Sequence, residues 1–221
     1  MNSIFDIIGP VMIGPSSSHT AGAARLGKMA RCIFRSTPKK VDLTLYGSFA
    51  KTYKGHGTDK ALVGGILGFD PDDARIKYSF ELAKEQGVKF EFIKTNLGEN
   101  VHPNTVKMEM ILEDGSKSTV MGASIGGGNI KLTEMDGLAL DFNGSRSAVV
   151  LEIKDIPGAI AFITGILGHN NKNISMISTN KPAKSEYTFL TIETEDELES
   201  SLIDQLRKFE VVAKVVVLDK F

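Results

Sequence analysis

The stretch RSAVVLEIKDIPGAIAFITGIL, residues 146–167, passes from a strand pattern to a helix pattern within a few residues. Residues 148–153, apolar apart from Glu152, read as a strand. Asp155, Ile156, Pro157 and Gly158 then break the run. Beyond them Ile160, Ile163 and Leu167 recur at helical spacing. On the C-terminal side two further strands are expected, residues 174–179 and 186–193, joined at Lys181 and Pro182. A second helix carries Leu198, Leu202, Leu206 and Phe209 on one stripe, and a last strand covers residues 211–218. The order is βαββαβ, a ferredoxin-like split βαβ unit with one helical layer on an antiparallel sheet.

On the N-terminal side, Asp141, Phe142, Asn143, Gly144 and Ser145 are polar and turn-rich, and a linker is expected over residues 141–147. Residues 1–140 before it mix helices and strands. Ala23, Leu26, Ala30, Ile33 and Phe34 mark one face of a helix over residues 20–35, which stops before Pro38. Residues 41–46 and 88–94 alternate as half-buried strands do. Residues 58–67 form a short helix. Asp70 and Pro71 supply an N-cap and a first-turn proline for a helix with Ile76, Phe80 and Ala83, ending at Gly87. Residues 104–112 and 117–124 flank Asp114-Gly115, a hairpin signal, and residues 129–135 are a further strand. The fold class is therefore α+β: a mixed α/β domain over residues 1–140, the linker, and the βαββαβ domain over residues 148–221.

The chain has 221 residues, 42% hydrophobic and 24% charged, with a net charge of −1. Nucleic acid is a poor partner for such a balance, because binding it needs a basic footprint. No apolar run reaches the ~20 residues that span a bilayer. Residues 1–10 have no basic leader region and contain Asp6, so a cytoplasmic location is the default expectation. Cys32 is the only cysteine, so no internal disulfide and no Cys-rich metal site can be built from this chain. It lies beside Ile33 and Phe34 on the apolar side of its helix and reads as a packed core residue.

The segment Gly14-Pro15-Ser16-Ser17-Ser18-His19-Thr20 runs directly into the first helix. Hydroxyls and an imidazole beside orphan helix N–H groups suit a carboxylate or phosphate, while the same residues also fit an ordinary N-cap with spare hydroxyls. Residues 22–28 have the spacing of a P-loop, but Met29 stands where a magnesium-holding Ser or Thr is needed. Gly55-His56-Gly57 lacks the third glycine of a dinucleotide fingerprint. His56 between two glycines is set in backbone that can bend and expose its ring. Gly126, Gly127 and Gly128 fit either an anion-binding nest or a hairpin end. Asp155 can cap the helix that follows it, and Gly158 admits close approach of a ligand; a capped helix start without a ligand reads equally well.

Three long motifs occur in one order: Ile13 to Gly22, Leu45 to Asp59, and Ser124 to Asn129. Together they resemble the β chain of the iron–sulfur L-serine dehydratases (L-serine ammonia-lyases). Residues ~146–221 resemble an ACT domain. The resemblance implies a lyase of amino-acid metabolism that converts L-serine to pyruvate and ammonia with a [4Fe–4S] cluster. It implies that the N-terminal domain has the allosteric-substrate-binding fold, and that the ACT domain regulates and pairs with a second copy. A cubane cluster needs several thiolates. With Cys32 alone, this chain is expected to leave the cluster to a cysteine-rich catalytic α subunit and to ligate no metal itself.

Carried onto this sequence, the resemblance makes His56 and His19 the candidate catalytic residues. Ser16, Ser17, Ser18, Thr20, Gly55, Gly57, Gly127, Gly128 and Asn129 become candidate L-serine contacts, and Asp155 and Gly158 candidate effector contacts. His102 and His169 read as surface residues. The competing reading is a stand-alone amino-acid-sensing regulatory protein.

Overall fold

A computed structural model describes residues 10–34, 36–96, 98 and 100–220. Expectations that fall on residues 1–9 and on Arg35 lie outside this set. Two compact units divide the chain, Met1–Asn143 and Gly144–Phe221.

In the first unit a π-helical turn, Ser17–Ala21, runs into α1 (Gly22–Phe34). Then come β1 (Lys40–Leu45), α2 (Gly47–Thr52), α3 (Thr58–Ile66), a 3₁₀ turn (Ala74–Tyr78) and α4 (Ser79–Glu85). Strands β2 (Lys89–Lys94), β3 (Thr105–Ile111), β4 (Lys117–Gly126), β5 (Asn129–Met135) and β6 (Leu138–Phe142) complete it. The six strands form one sheet in the order β2-β1-β3-β4-β5-β6. Only β1 and β2 run parallel, and the crossover between them carries α2 to α4. The apolar stripe of α1 (Ala23, Leu26, Met29, Ala30) is buried against α3 and the sheet. Gly122 on β4 makes the room: a Cβ there would stand 2.8 Å from Leu26 Cδ2.

The helix expected to begin at Asp70 begins later. Asp73 is the cap, its carboxylate accepting the Arg75 N–H, while Asp70 pairs with Lys28. An acid engaged across the fold by a lysine is not free to cap its own helix. The hairpin β3–β4 matches its Asp-Gly signal, but α2 and β6 have no counterpart in the sequence reading. Asp141 and Phe142, expected in the linker, finish β6, with Phe142 1% exposed in the core. Cys32 is half-buried rather than packed inside.

The second unit is β7 (Ser147–Lys154), α5 (Ala159–His169), β8 (Ile174–Asn180), β9 (Tyr187–Thr194), α6 (Ser200–Arg207) and β10 (Val212–Leu218). This is the expected βαββαβ order, as one antiparallel sheet, β10-β7-β9-β8. Ser147 opens β7, so residues 143–146 connect the two sheets. Val149, Leu151 and Ile153 of β7 share a core with Leu190 and Ile192 of β9, Ile163 and Leu167 of α5, and Leu202 and Leu206 of α6. Among the described residues no helix is long and apolar enough to cross a membrane.

Candidate functional site

The first unit's site forms where two helices begin. The π turn before α1 is closed by the Gly22 N–H donating to the Ser17 carbonyl oxygen. Such turns are rare and concentrate at functional positions. Ser16 is its N-cap, with extended backbone (φ −142°, ψ 122°). Its Oγ accepts the His19 N–H at 3.2 Å, and its carbonyl accepts the Thr20 N–H at 2.8 Å.

These bonds leave the half-buried His19 ring aimed at the start of α2. Its Nε2 lies 3.0 Å from Ser48 Oγ, and its Nδ1 lies 3.0 Å from Ser18 Oγ. The Phe49 ring meets it edge-on at 5.3 Å. The exposed His56 ring is 4.9 Å away between centroids, tilted by 52°. Thr20 Oγ1 donates to the His56 carbonyl oxygen at 3.2 Å, which ties the π turn to the loop before α3. Gly57 follows with φ 68°, a left-handed conformation that favours glycine, and caps α3. Two histidines 37 positions apart thus come into tilted ring contact because two helix starts are bonded together.

Burial, and secondarily the charge of His56, holds the His19 imidazole below the usual histidine value. The carboxyl of Asp59, in the first turn of α3, is pushed up by burial, against the Lys60 N–H bond that its Oδ1 accepts at 2.8 Å.

The glycine motif lies beside the π turn. Gly126 pairs with Asn129 across the β4–β5 hairpin, and Gly127 and Gly128 turn it with φ of 60° and 80°. Positive φ at both central positions is the mark of a hairpin turn matched to strand twist, so the geometry is that of a hairpin end. The turn is anchored by Arg25 Nη1, which donates to the Gly128 carbonyl oxygen at 2.9 Å. A Cβ on Gly128 would stand 3.6 Å from that of Ala21. Gly55 and Asn129 are exposed at the surface, and Ser17 is half-buried within the π turn.

Two serines that sequence reasoning did not select belong to this neighbourhood. Ser48 holds His19. Ser124 is fully buried, and its Oγ, with no hydrogen-bond partner among the described residues, would lie 2.1 Å from any Cβ added at Gly22. Thr58 Oγ1, at the start of α3, is buried and unpartnered as well. Both serines fall inside the quoted motifs, so position within a motif was the available signal. Spacing alone did not distinguish them from other serines.

In the second unit, Asp155 does not cap α5. Its carboxylate pairs with Lys181, and the cap position is Gly158, left-handed at φ 87°. A lysine within reach is a stronger partner for an exposed carboxylate than an N–H. Ile156, Pro157, Gly158, Phe162, Phe209 and Val211 line an open apolar cleft of about 400 Å³. His102 and His169 are exposed, as expected. Among the described residues, no three His, Cys, Asp or Glu side chains gather closely enough to hold a metal ion.

Residues 3–135 match the family described as serine dehydratase beta chain. The L-serine dehydratase beta chain of Peptoniphilus asaccharolyticus is 46% identical over 200 residues, 90% of each chain. The probable L-serine dehydratase beta chain of Bacillus subtilis is 41% identical over 213 residues, 96% of each. Among solved structures, the ACT domain of the GTP pyrophosphokinase of Chlorobium tepidum is 25% identical, covering 33% of this chain and 95% of its own, with a TM-score of 0.28. With a family match across most of the first unit and relatives aligned over nearly the full length, this chain belongs to the serine dehydratase beta chain family.

Proposed function

We propose that this chain is the β subunit of a two-chain L-serine dehydratase, acting with a separate α subunit that carries a [4Fe–4S] cluster. The carrying observation is the His19–His56 pair, 4.9 Å apart, bordered by the hydroxyls of Ser16, Ser18 and Thr20. Among the described residues Cys32 is the one thiol, and cubane clusters need several, so the residues of this chain do not fit that group and the α chain is assigned it.

In the reaction, L-serine loses its Cα proton and its β-hydroxyl group as water. The aminoacrylate that results tautomerises to an imine, and water converts the imine to pyruvate and ammonia. This chain's part is to bind and to move a proton. The segment Ser16–Thr20 offers hydroxyls and the first N–H groups of a helix to the serine carboxylate. His56, with its ring exposed, takes the Cα proton. His19 stays neutral beside it and limits the build-up of charge. The unpartnered Ser124 Oγ and Thr58 Oγ1 add buried polar capacity at the same helix starts.

In the second unit an amino-acid effector is assigned to the turn from Asp155 to Gly158. Its ammonium group would compete with Lys181 for Asp155, and its side chain would enter the apolar cleft. Self-association is assigned to the same unit.

The test is reconstitution. The purified chain alone should release no pyruvate from L-serine, and the purified chain with a cysteine-rich α chain should. Activity of this chain alone would sink the reading, and an α chain indifferent to its addition would sink it in favour of a stand-alone amino-acid sensor.

A further inference from the structure

We propose that Ser48 is a positioning residue, whose hydroxyl together with that of Ser18 locks the His19 imidazole into one tautomer and one orientation against His56. The inference rests on the reading of His19 and His56 as the working pair, and assigns a task to a residue outside that set.

A neutral imidazole has one N–H and one bare nitrogen, so each ring nitrogen needs a different kind of partner. A lone hydrogen bond fixes one nitrogen and leaves the ring free to flip. Here both nitrogens are engaged at 3.0 Å, by hydroxyls from two separate elements. Ser18 comes from the π turn itself. Its Oγ also stands 3.4 Å from Ser16 Oγ, and Ser16 is bonded to the His19 backbone. Ser48 comes from α2 and is set there independently: its N–H donates to the Pro103 carbonyl oxygen at 2.7 Å, and its own carbonyl accepts Thr52 Oγ1 at 2.8 Å. The hydroxyl that meets Nε2 therefore sits on backbone tied to the turn that precedes β3.

A hydroxyl donates one proton and accepts through its lone pairs, so the two serines serve the ring as a concerted pair, one donating to the bare nitrogen while the other accepts from the N–H. Removing Ser48 breaks that pairing and leaves Nε2 without a partner. The ring then samples both tautomers and turns relative to His56. The other faces of His19 are closed by the Phe49 edge and by His56, and His56 is the titratable side chain in ring contact with it among the described residues. This arrangement divides the labour. His19 is held through both nitrogens and cannot easily pass its proton to substrate, whereas the exposed His56 is left to do so.

The experiment has two readouts. Ring ¹⁵N and ¹³C shifts of His19, recorded on the full chain without substrate, report the tautomer. Turnover of L-serine by the reconstituted pair reports the consequence. The wild-type ring should show one tautomer. Ser48→Ala should show a mixture, with kcat reduced on the order of 10–100-fold, by analogy with the partners that orient metal-ligating histidines, and KM little changed. Ser48→Thr, which keeps the hydroxyl, should restore both. If Ser48→Ala does not fold, the near-isosteric Ser48→Cys carries the same readouts with a poor hydrogen-bonding group. Unchanged ring shifts, or turnover within about twofold of wild type despite altered shifts, overturns the proposal. A wild-type pair that does not deaminate L-serine overturns the assigned activity instead, while the tautomer measurement still judges the hold of Ser48 on His19.

Discussion

His56 has the exposure that a proton-moving residue needs, and His19 has the burial that a neutral companion needs. Their contrast is the main chemical asset of this chain. Replacing His56 by Ala in the reconstituted enzyme should lower kcat on the order of 10²–10⁴-fold, the usual loss for a general base, and unchanged turnover would remove it from the site. The depressed His19 value carries its own sign. The unfolded chain protonates this residue near the ordinary histidine value of 6.5 and the folded chain only at lower pH. Between those two values the unfolded state holds more protons, so folding stability falls as pH drops from about 6.5 through the folded value. A proton-detected titration should therefore place the His19 midpoint below 6.5. In His56→Ala the midpoint should rise only in part, because burial, the larger cause, remains. A midpoint at or above the ordinary value would contradict the half-buried geometry.

At the scale of elements, the site depends on how closely α1 and α3 approach. A Cβ at Gly65 would stand 2.0 Å from the Ala24 carbonyl oxygen and 2.7 Å from the Lys28 nitrogen. Both are backbone atoms of α1 and cannot rotate away, so Gly65→Ala forces the helices apart. Overpacking of this kind costs about 1–3 kcal/mol or more. It should lower the melting temperature by roughly 2–10 °C, and also reduce turnover, because the two histidines are carried on the starts of these two helices. Gly64→Ala is the control. Its new Cβ meets Ile76 Cγ1 at 3.1 Å, a side-chain atom that can shift, so stability should change little. The longer periodic helices, α1 and α5, were legible in the sequence because their burial stripes are written in Ala, Leu and Ile. The missed elements are short. The six residues of α2 span less than two turns and start from a left-handed Gly47. The five residues of β6 follow the tight turn at Asp136 and Gly137. Neither offers a full period to read. For the site, the motif histidines could be picked out by residue type. Ser48 could not, because what distinguishes it is a bond to a residue 29 positions away.

At the scale of the whole molecule, the chain divides into two compact units that can be tested apart. The second unit, Gly144–Phe221, has a core that draws on β7, α5, β9, α6 and Val212, and that core closes within the unit. Its four strands have all their ladder partners inside the unit. Among the described residues that core is built from this unit's own elements, so residues 144–221 expressed alone should fold and melt in a single cooperative transition. The chain ended at Asn143 keeps the complete β2-β1-β3-β4-β5-β6 sheet and both histidines. Paired with the α chain, it should still deaminate L-serine, with kcat within a few-fold of the full chain. What it should lose is any dependence of rate or assembly on an added amino acid. Comparing the two chains at fixed L-serine while titrating a panel of amino acids separates the roles. If the truncated chain is inactive although folded by circular dichroism, the second unit contributes to turnover itself. If it responds to the panel as the full chain does, the effector site lies in the first unit, with the Ser16–Thr20 segment as its place.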